Sequence, residues 1–142
     1  MTKIIIPSGA KLSVDFSQIA ELGTLDLEAC VAVSARYNNH AAIMHLRQND
    51  QLNDFFSWFC AEVPRDSSLY LVGGISGKSE LFVEDIARRL RQYGYNQSTE
   101  DVLRGWRRNL WINPQHVKVE YFQEQRLPSG RIEAIEMGFN LL

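Results

Sequence analysis

The stretch LEACVAVSARYNNHAAIMHL, residues 27–46, contains two apolar runs separated by a short polar segment. Leu27–Ser34 is rich in small and β-branched residues, which favours a buried strand. His40–Leu46 reads as a second apolar strand, and the turn-forming residues Arg36–Asn39 lie between the two. This pattern predicts a β-hairpin in the middle of the chain.

Short strands are predicted on both sides of this hairpin. The C-terminal two alternate apolar and polar residues, which predicts a hairpin with one solvated face around Pro128-Ser129-Gly130. Residues 97–113 show no clear period, and we leave them unassigned. The predicted strands are Lys3–Ile6, Lys11–Phe16, Ser68–Val72, His116–Gln123 and Arg131–Gly138.

Two segments have the spacing of amphipathic helices. Asn49 or Asp50 can cap the first helix, which runs to about Val63. Ser79 begins the second helix, and Gly94 closes it. The expected buried stripes are Leu52, Phe55, Phe56, Phe59 and Val63 in the first helix, and Phe82, Ile86, Leu90 and Tyr93 in the second. We therefore expect residues 1–142 to form one α+β domain with layered, sandwich-like sheets and two helices packed on them.

Composition excludes several function classes. The chain has 142 residues, 45% of them hydrophobic, and a net charge of -2, which argues against disorder and against a globally basic nucleic-acid binder. No window approaches the roughly 20 apolar residues of a membrane span. Two cysteines without C-x-x-C spacing indicate reduced thiols, and we expect a cytoplasmic protein that does not bind nucleic acid or membranes.

Cys30 and His45 form the sharpest candidate site. If the hairpin turn is centred on Tyr37-Asn38, paired residue numbers sum to 75 and the two residues face each other directly. A turn centred on Asn38-Asn39 makes the pair diagonal on the same face, whereas an odd-length loop or a bulge separates them. An imidazole beside a thiol can generate the thiolate nucleophile and return its proton to a leaving group. An inert buried cysteine is the alternative.

The sequence around Cys30 resembles a known nucleophile segment. Residues 24–33, TLDLEACVAV, are similar to the Thr-Leu-x-Leu-Gly-Ser-Cys-Val-Ala-Val pattern of the CheD family of chemoreceptor glutamine deamidases, with Glu28-Ala29 in place of Gly-Ser. The family's histidine follows on the next strand in an apolar context, as in Ala42–Leu46. The same cysteine–histidine arrangement occurs in cytotoxic necrotizing factor and Burkholderia lethal factor type toxins. The close match covers about ten residues, and the similarity elsewhere is loose.

The resemblance implies a function and a set of roles. Cys30 is the expected nucleophile, His45 the general base and acid, and Thr24 the residue that orients the imidazole. Ala29 and Glu28 are expected at the substrate-binding side, with Ala29 donating its amide. The implied reaction is deamidation of a protein glutamine without a cofactor. The target is either a bacterial signalling receptor or a host protein reached by a secreted effector. The alternative is a non-catalytic binding module that retains the fold.

Other signals favour simpler interpretations. The run Gly73–Ser79 misses the phosphate-loop motif by one position, so we expect a turn with Ser79 as a helix cap. His40 and His116 lack metal-ligand spacing, and no metal site is expected. Cys60 is interpreted as a packing residue. Six arginines near Trp106 and Trp111 are interpreted as a solvated helix face rather than a docking surface: Arg88, Arg89, Arg91, Arg104, Arg107 and Arg108.

Overall fold

Ten segments of the chain form strands, and the two amphipathic segments form helices. The computed structural model describes residues 2–142. The strands and helices, in chain order, are β1 (Thr2–Ile6), β2 (Lys11–Asp15), β3 (Ile19–Leu27), β4 (Val31–Tyr37), β5 (His40–Leu46), α1 (Leu52–Glu62), β6 (Leu69–Gly73), α2 (Glu80–Gln92), β7 (Ser98–Val102), β8 (Arg107–Ile112), β9 (Val117–Arg126) and β10 (Ile132–Leu141).

The strands form two five-stranded sheets. The first has the order β1-β3-β8-β9-β10, and the second has the order β2-β5-β4-β6-β7. Side chains alternate across β4 and β5, so one face of the second sheet packs on the first sheet and the other face packs on the helices. The core between the sheets includes Leu22, Ala32, Ile43, Val72 and Leu110, all fully buried. This is the expected α+β layering of sandwich-like sheets with helices.

Both helices cover the outer face of the second sheet. Phe56 and Phe59 of α1 and Ile86 of α2 are fully buried against Val33 and Met44. Burial of one such side chain contributes about 1.5–3 kcal/mol, so this layer stabilises the sheet whose strand β5 carries His45. No helix in the described part of the chain is long and apolar enough to cross a membrane.

The central hairpin turns at Asn38-Asn39 rather than at Tyr37-Asn38. Both asparagines have positive φ, +45° and +59°, as a two-residue hairpin turn requires. Paired residue numbers in β4 and β5 therefore sum to 77, with Ala32 opposite His45. The register that placed Cys30 directly opposite His45 is wrong, and the diagonal register is the one that forms.

The first predicted strand of the hairpin is also corrected. Residues 28–30 are not part of a strand, because the chain crosses there from β3 in the first sheet to β4 in the second. β3 itself was missed, and the unassigned stretch 97–113 contains β7 and β8. The C-terminal hairpin forms, but most side chains of β10 are exposed on both of its faces rather than on one.

The helix starts differ from the expectation as well. α1 begins at Leu52 with Gln51 at the cap position, and the Asp50 carboxylate instead accepts hydrogen bonds from the backbone and guanidinium of Arg47. Ser79 does precede α2, but its hydroxyl makes no capping bond to the helix. In α2, Tyr93 was predicted to be buried and is exposed, whereas Val83 was not predicted and is buried. The inward face of α2 is therefore rotated relative to the predicted one.

Candidate functional site

A bulge in β3 brings the Cys30 segment to the junction of the two sheets. Pairing of β3 with β8 is interrupted between Thr24 and Leu27. Asp26, within the bulge, has φ +60°, a conformation that aspartate tolerates better than most residues, and its N–H donates to Asn109 Oδ1. The chain then leaves the first sheet, and Cys30 lies, partly buried, immediately before β4.

Thr24 and His45 join the two sheets through a buried hydrogen bond. Thr24 Oγ1 lies 2.6 Å from His45 Nδ1 and donates to the Ile6 carbonyl at 2.9 Å. A hydroxyl carries one proton, so the bond to the histidine must be donated by Nδ1–H. This fixes the imidazole tautomer and leaves Nε2 as an unprotonated acceptor.

His45 Nε2 is buried and has no hydrogen-bond partner within residues 2–142. Burial lowers the pKa of His45 to about 4, although Asp50 and Asp26 raise it in part. The ring is therefore neutral at neutral pH. A neutral ring with a free Nε2 is the form that accepts a proton as a general base.

The hairpin register places the thiol on the same side of the sheet as this nitrogen, with no hydrogen bond between the two. Extending the β4–β5 pairing by one residue puts Cys30 opposite Arg47, diagonal to His45 and on the same face. Diagonal neighbours have Cβ atoms about 7 Å apart, within reach of a thiol and an imidazole that extend toward each other. Cys30 Sγ also lies 3.8 Å from the hydroxyl of Ser8.

The turn between β1 and β2 contacts both His45 and Cys30. The His45 N–H donates to the Ala10 carbonyl, and the His45 carbonyl accepts from Gly9 N–H, both at 2.9 Å. Ser8, in the same turn, contacts Cys30. The turn thus fixes the backbone that carries the imidazole while its serine lies against the thiol.

The backbone next to Cys30 presents free amide groups. Within residues 2–142, neither the Ala29 nor the Cys30 N–H donates a hydrogen bond to another protein atom. The Ala29 carbonyl accepts from Ser79 Oγ at 3.4 Å, so the N–H of Cys30, on the opposite side of the trans peptide, points away from Ser79. Adjacent free N–H groups of this kind can stabilise an oxyanion.

A buried arginine supports the other side of the Cys30 segment. The Cys30 carbonyl accepts from Gly74 N–H at 2.9 Å, and the Gly74 carbonyl accepts from Arg108 Nη2 at 2.6 Å. The Arg108 guanidinium is fully buried and also donates to Asp101, itself 3% exposed. This chain of bonds connects the segment before β4 to the interior. The interpretation of all six arginines as one solvated helix face is wrong, since Arg108 lies in the core and only three of the six are on α2.

Glu28 lies on a groove rather than over the thiol. The groove has a volume of about 350 Å³, and its lining includes Glu28, Trp106, Phe122 and Glu124. Cys30 is not part of the lining, but two residues span at most about 7 Å. Of the predicted pair, Glu28 therefore lines the groove, and Ala29 connects it to Cys30.

The other singled-out residues lie elsewhere. His40 Nδ1 contacts the Asn38 carbonyl, and His116 contacts Asn113. Cys60 is packed against the helix-side core. Within residues 2–142, no group of three or more potential metal ligands is found. The Gly73–Ser79 turn leaves Lys78 exposed, and the Ser79 hydroxyl accepts from the Ile75 N–H.

Sequence reasoning missed three contributors to the site: Ser8, the Ile6 carbonyl and Arg108. Each acts through a contact distant in sequence, with Ser8 22 residues from Cys30 and Arg108 34 residues from Gly74. A local motif cannot reveal such contacts. A scan against protein-family models finds no match for this chain, and neither does a search of curated proteins.

Proposed function

We propose that the chain is a cysteine-dependent hydrolase that deamidates glutamine side chains of a protein substrate. One observation carries the proposal: the buried Thr24–His45 hydrogen bond leaves His45 Nε2 free on the face that Cys30 shares. A thiol, a neutral base with a fixed tautomer and nearby free backbone N–H groups are what acyl transfer to a thiol requires. The resemblance of residues 24–33 to the CheD-type nucleophile segment supports the choice of glutamine.

The first half of the reaction forms a thioester. His45 Nε2 takes the thiol proton as Cys30 Sγ attacks the carboxamide carbon, and the oxygen of the tetrahedral intermediate is held by the Ala29 and Cys30 N–H groups. As the C–N bond breaks, His45 returns its proton to the nitrogen, and ammonia leaves. Thr24 stabilises the transient imidazolium, because its hydroxyl accepts the Nδ1–H bond throughout.

The second half consumes water. His45 Nε2 takes a proton from a water molecule that attacks the thioester carbon. The C–S bond then breaks, and the thiolate recovers the proton from His45, while glutamate is released. The product side chain gains a carboxylate, so the substrate becomes more negative by one charge. No cofactor enters the scheme, and the target is a bacterial signalling receptor or a host protein.

The test measures ammonia and product together. Purified protein is incubated with glutamine-containing proteins of both target classes, and ammonia release is compared with conversion of glutamine to glutamate by mass spectrometry. We expect both signals from the wild type and neither from Cys30→Ser or His45→Ala. Cys60→Ser is the matched control and should retain activity. Equal ammonia from all four proteins contradicts the proposal and leaves a non-catalytic binding module with the same fold.

A further inference from the structure

The groove beside the candidate site has an aromatic wall that is open to solvent. Trp106 is 41% exposed and packs edge-on against Tyr121, with ring centroids 6.2 Å apart. Phe122 lines the same groove. An exposed tryptophan rim is unusual for a solvated surface and is frequent where a partner side chain packs.

The groove is acidic once its ion pairs are taken into account. Glu28 and Glu124 line it, and neither forms an ion pair with any residue in the range 2–142. Among the lining residues that the structure describes, Arg107 alone is cationic; its Nε lies 3.4 Å from Asp26 Oδ1, and its guanidinium group lies over the Phe122 ring, 5.9 Å from the ring centroid. Arg104, on the far side of Trp106, is paired with Asp101 at 2.8 Å. Two carboxylates are therefore left to face an incoming ligand.

The groove is continuous with the segment that carries the thiol. Glu28 precedes Cys30 by two residues, and Ile75, also in the lining, directly follows Gly74, which binds the Cys30 carbonyl. Two residues of peptide span at most about 7 Å, so Glu28 lies within that distance of Cys30 along the chain. A residue adjacent to a glutamine at Cys30 can thus reach the groove.

We propose that this groove, which we call the flanking-residue groove and define by Glu28, Trp106, Phe122 and Glu124, binds a lysine or arginine that lies within two residues of the target glutamine. The aliphatic stem packs on the exposed Trp106, and the cationic group meets Glu28 and Glu124. The inference rests on the proposed function for the role of the glutamine, whereas binding of the basic residue is measured separately. Glu28, in place of the family's glycine, then selects the substrate.

The binding experiment uses the Cys30→Ala variant, so that no peptide is consumed. Three fluorescent peptides each contain one glutamine and differ only in the two residues on each side of it, which are all lysine, all alanine or all glutamate. Their binding is compared by fluorescence anisotropy at low salt. We expect the lysine peptide to bind about tenfold more tightly than the glutamate peptide. Glu28→Lys/Glu124→Lys should make the glutamate peptide bind more tightly than the lysine peptide. Trp106→Ala should weaken binding of the lysine peptide, and Trp106→Phe should retain most of that binding.

A matched charge control separates local from global electrostatics. Glu84→Lys/Asp66→Lys makes the same change in net charge at exposed positions outside the groove and should leave the preference for lysine unchanged. Equal binding of all three peptides, or an unchanged preference in Glu28→Lys/Glu124→Lys, overturns the inference.

Activity of the wild type distinguishes the two proposals. Ammonia release from all three peptides with the same kcat/KM supports deamidation and overturns the groove assignment. Selective, Glu28- and Glu124-dependent binding of the lysine peptide without ammonia release from any peptide supports the groove and contradicts deamidation.

Discussion

At the scale of single residues, the Thr24 hydroxyl determines what His45 can do. It accepts the Nδ1 proton and donates to the Ile6 carbonyl, so both of its roles are occupied and the ring cannot adopt the other tautomer without losing a bond. The sequence pointed to His45 through the predicted hairpin and to Thr24 through the resemblance of the nucleophile segment. It could not reveal the tautomer, which depends on the Ile6 carbonyl 18 residues away.

Thr24→Val tests this role with nearly unchanged side-chain volume. A hydrogen bond to a charged group is worth about 1.5–3 kcal/mol, and each 1.4 kcal/mol is tenfold in rate, so kcat/KM for ammonia release should fall about tenfold to a hundredfold. Thr24→Ser keeps the hydroxyl and should retain most of the activity. Equal loss in both variants would show that the hydroxyl is not the important group.

The protonation of His45 predicts a pH dependence of stability. Its pKa is about 4 in the folded protein and 6.5 in the reference state, so the unfolded chain binds the proton first as the pH falls. The contribution of the neutral His45 ring to the free energy of unfolding is fully present above about pH 6.5 and is lost as the pH falls toward about 4. It amounts to about 3 kcal/mol.

Urea unfolding of the wild type and of His45→Leu at pH 7, 6, 5 and 4 measures it. The difference in unfolding free energy between the two proteins should change by this amount in favour of the leucine variant as the pH falls. A difference that is constant with pH would contradict the assignment of a buried neutral imidazole.

At the scale of elements, the end of β6 shapes the segment that carries Cys30. Gly73 has φ +124°, and a Cβ added there would lie 2.2 Å from the Cys30 carbonyl oxygen. Gly73→Ala should therefore reduce the unfolding free energy by about 2 kcal/mol or more and impair ammonia release. Gly105→Ala is the control, because nothing lies within 4 Å of its added Cβ and its φ is not in the left-handed range; its stability should be almost unchanged. Equal thermal midpoints for the two variants would contradict the close approach.

The buried pair of Arg108 and Asp101 gives a second prediction at this scale. Arg108→Met leaves the buried carbonyls of Gly74 and Asp101 without their donor and removes one of the two guanidinium groups that pair with the Asp101 carboxylate, which should cost about 3 kcal/mol in chemical denaturation. Arg104→Met removes the other, largely exposed guanidinium group and should cost less than about 1 kcal/mol. Equal losses in the two variants would contradict the role of the buried guanidinium.

Elements with regular apolar patterns were predictable, and those shaped by their neighbours were not. β5 has the predicted bounds because its apolar run is buried on both faces. β3 contains Glu21, Gly23 and Asp26 and was missed, since its polar positions lie at the bulge and the sheet surface. β7 is a polar edge strand whose residues are mostly exposed, and only its parallel pairing with β6 makes it a strand.

At the scale of the whole molecule, the site exists because two sheets meet. Thr24 belongs to the first sheet and His45 to the second, and Cys30 lies on the connection between them. The layered architecture could be predicted from strands and amphipathic helices. The sheet order could not, because it depends on crossovers such as β1 pairing with β3 rather than with β2.

The central claim is that the His45 ring activates the Cys30 sulfur, and alkylation by iodoacetamide tests it without any substrate. Reaction rates of Cys30 and Cys60 are measured site by site by mass spectrometry at pH 7 in the folded wild type and in His45→Ala. Because the neutral His45 ring takes the thiol proton as the sulfur attacks, we expect Cys30 to react at least about tenfold faster than Cys60 and His45→Ala to remove most of this advantage. A Cys30 that is unreactive, or that reacts equally fast without His45, would contradict it.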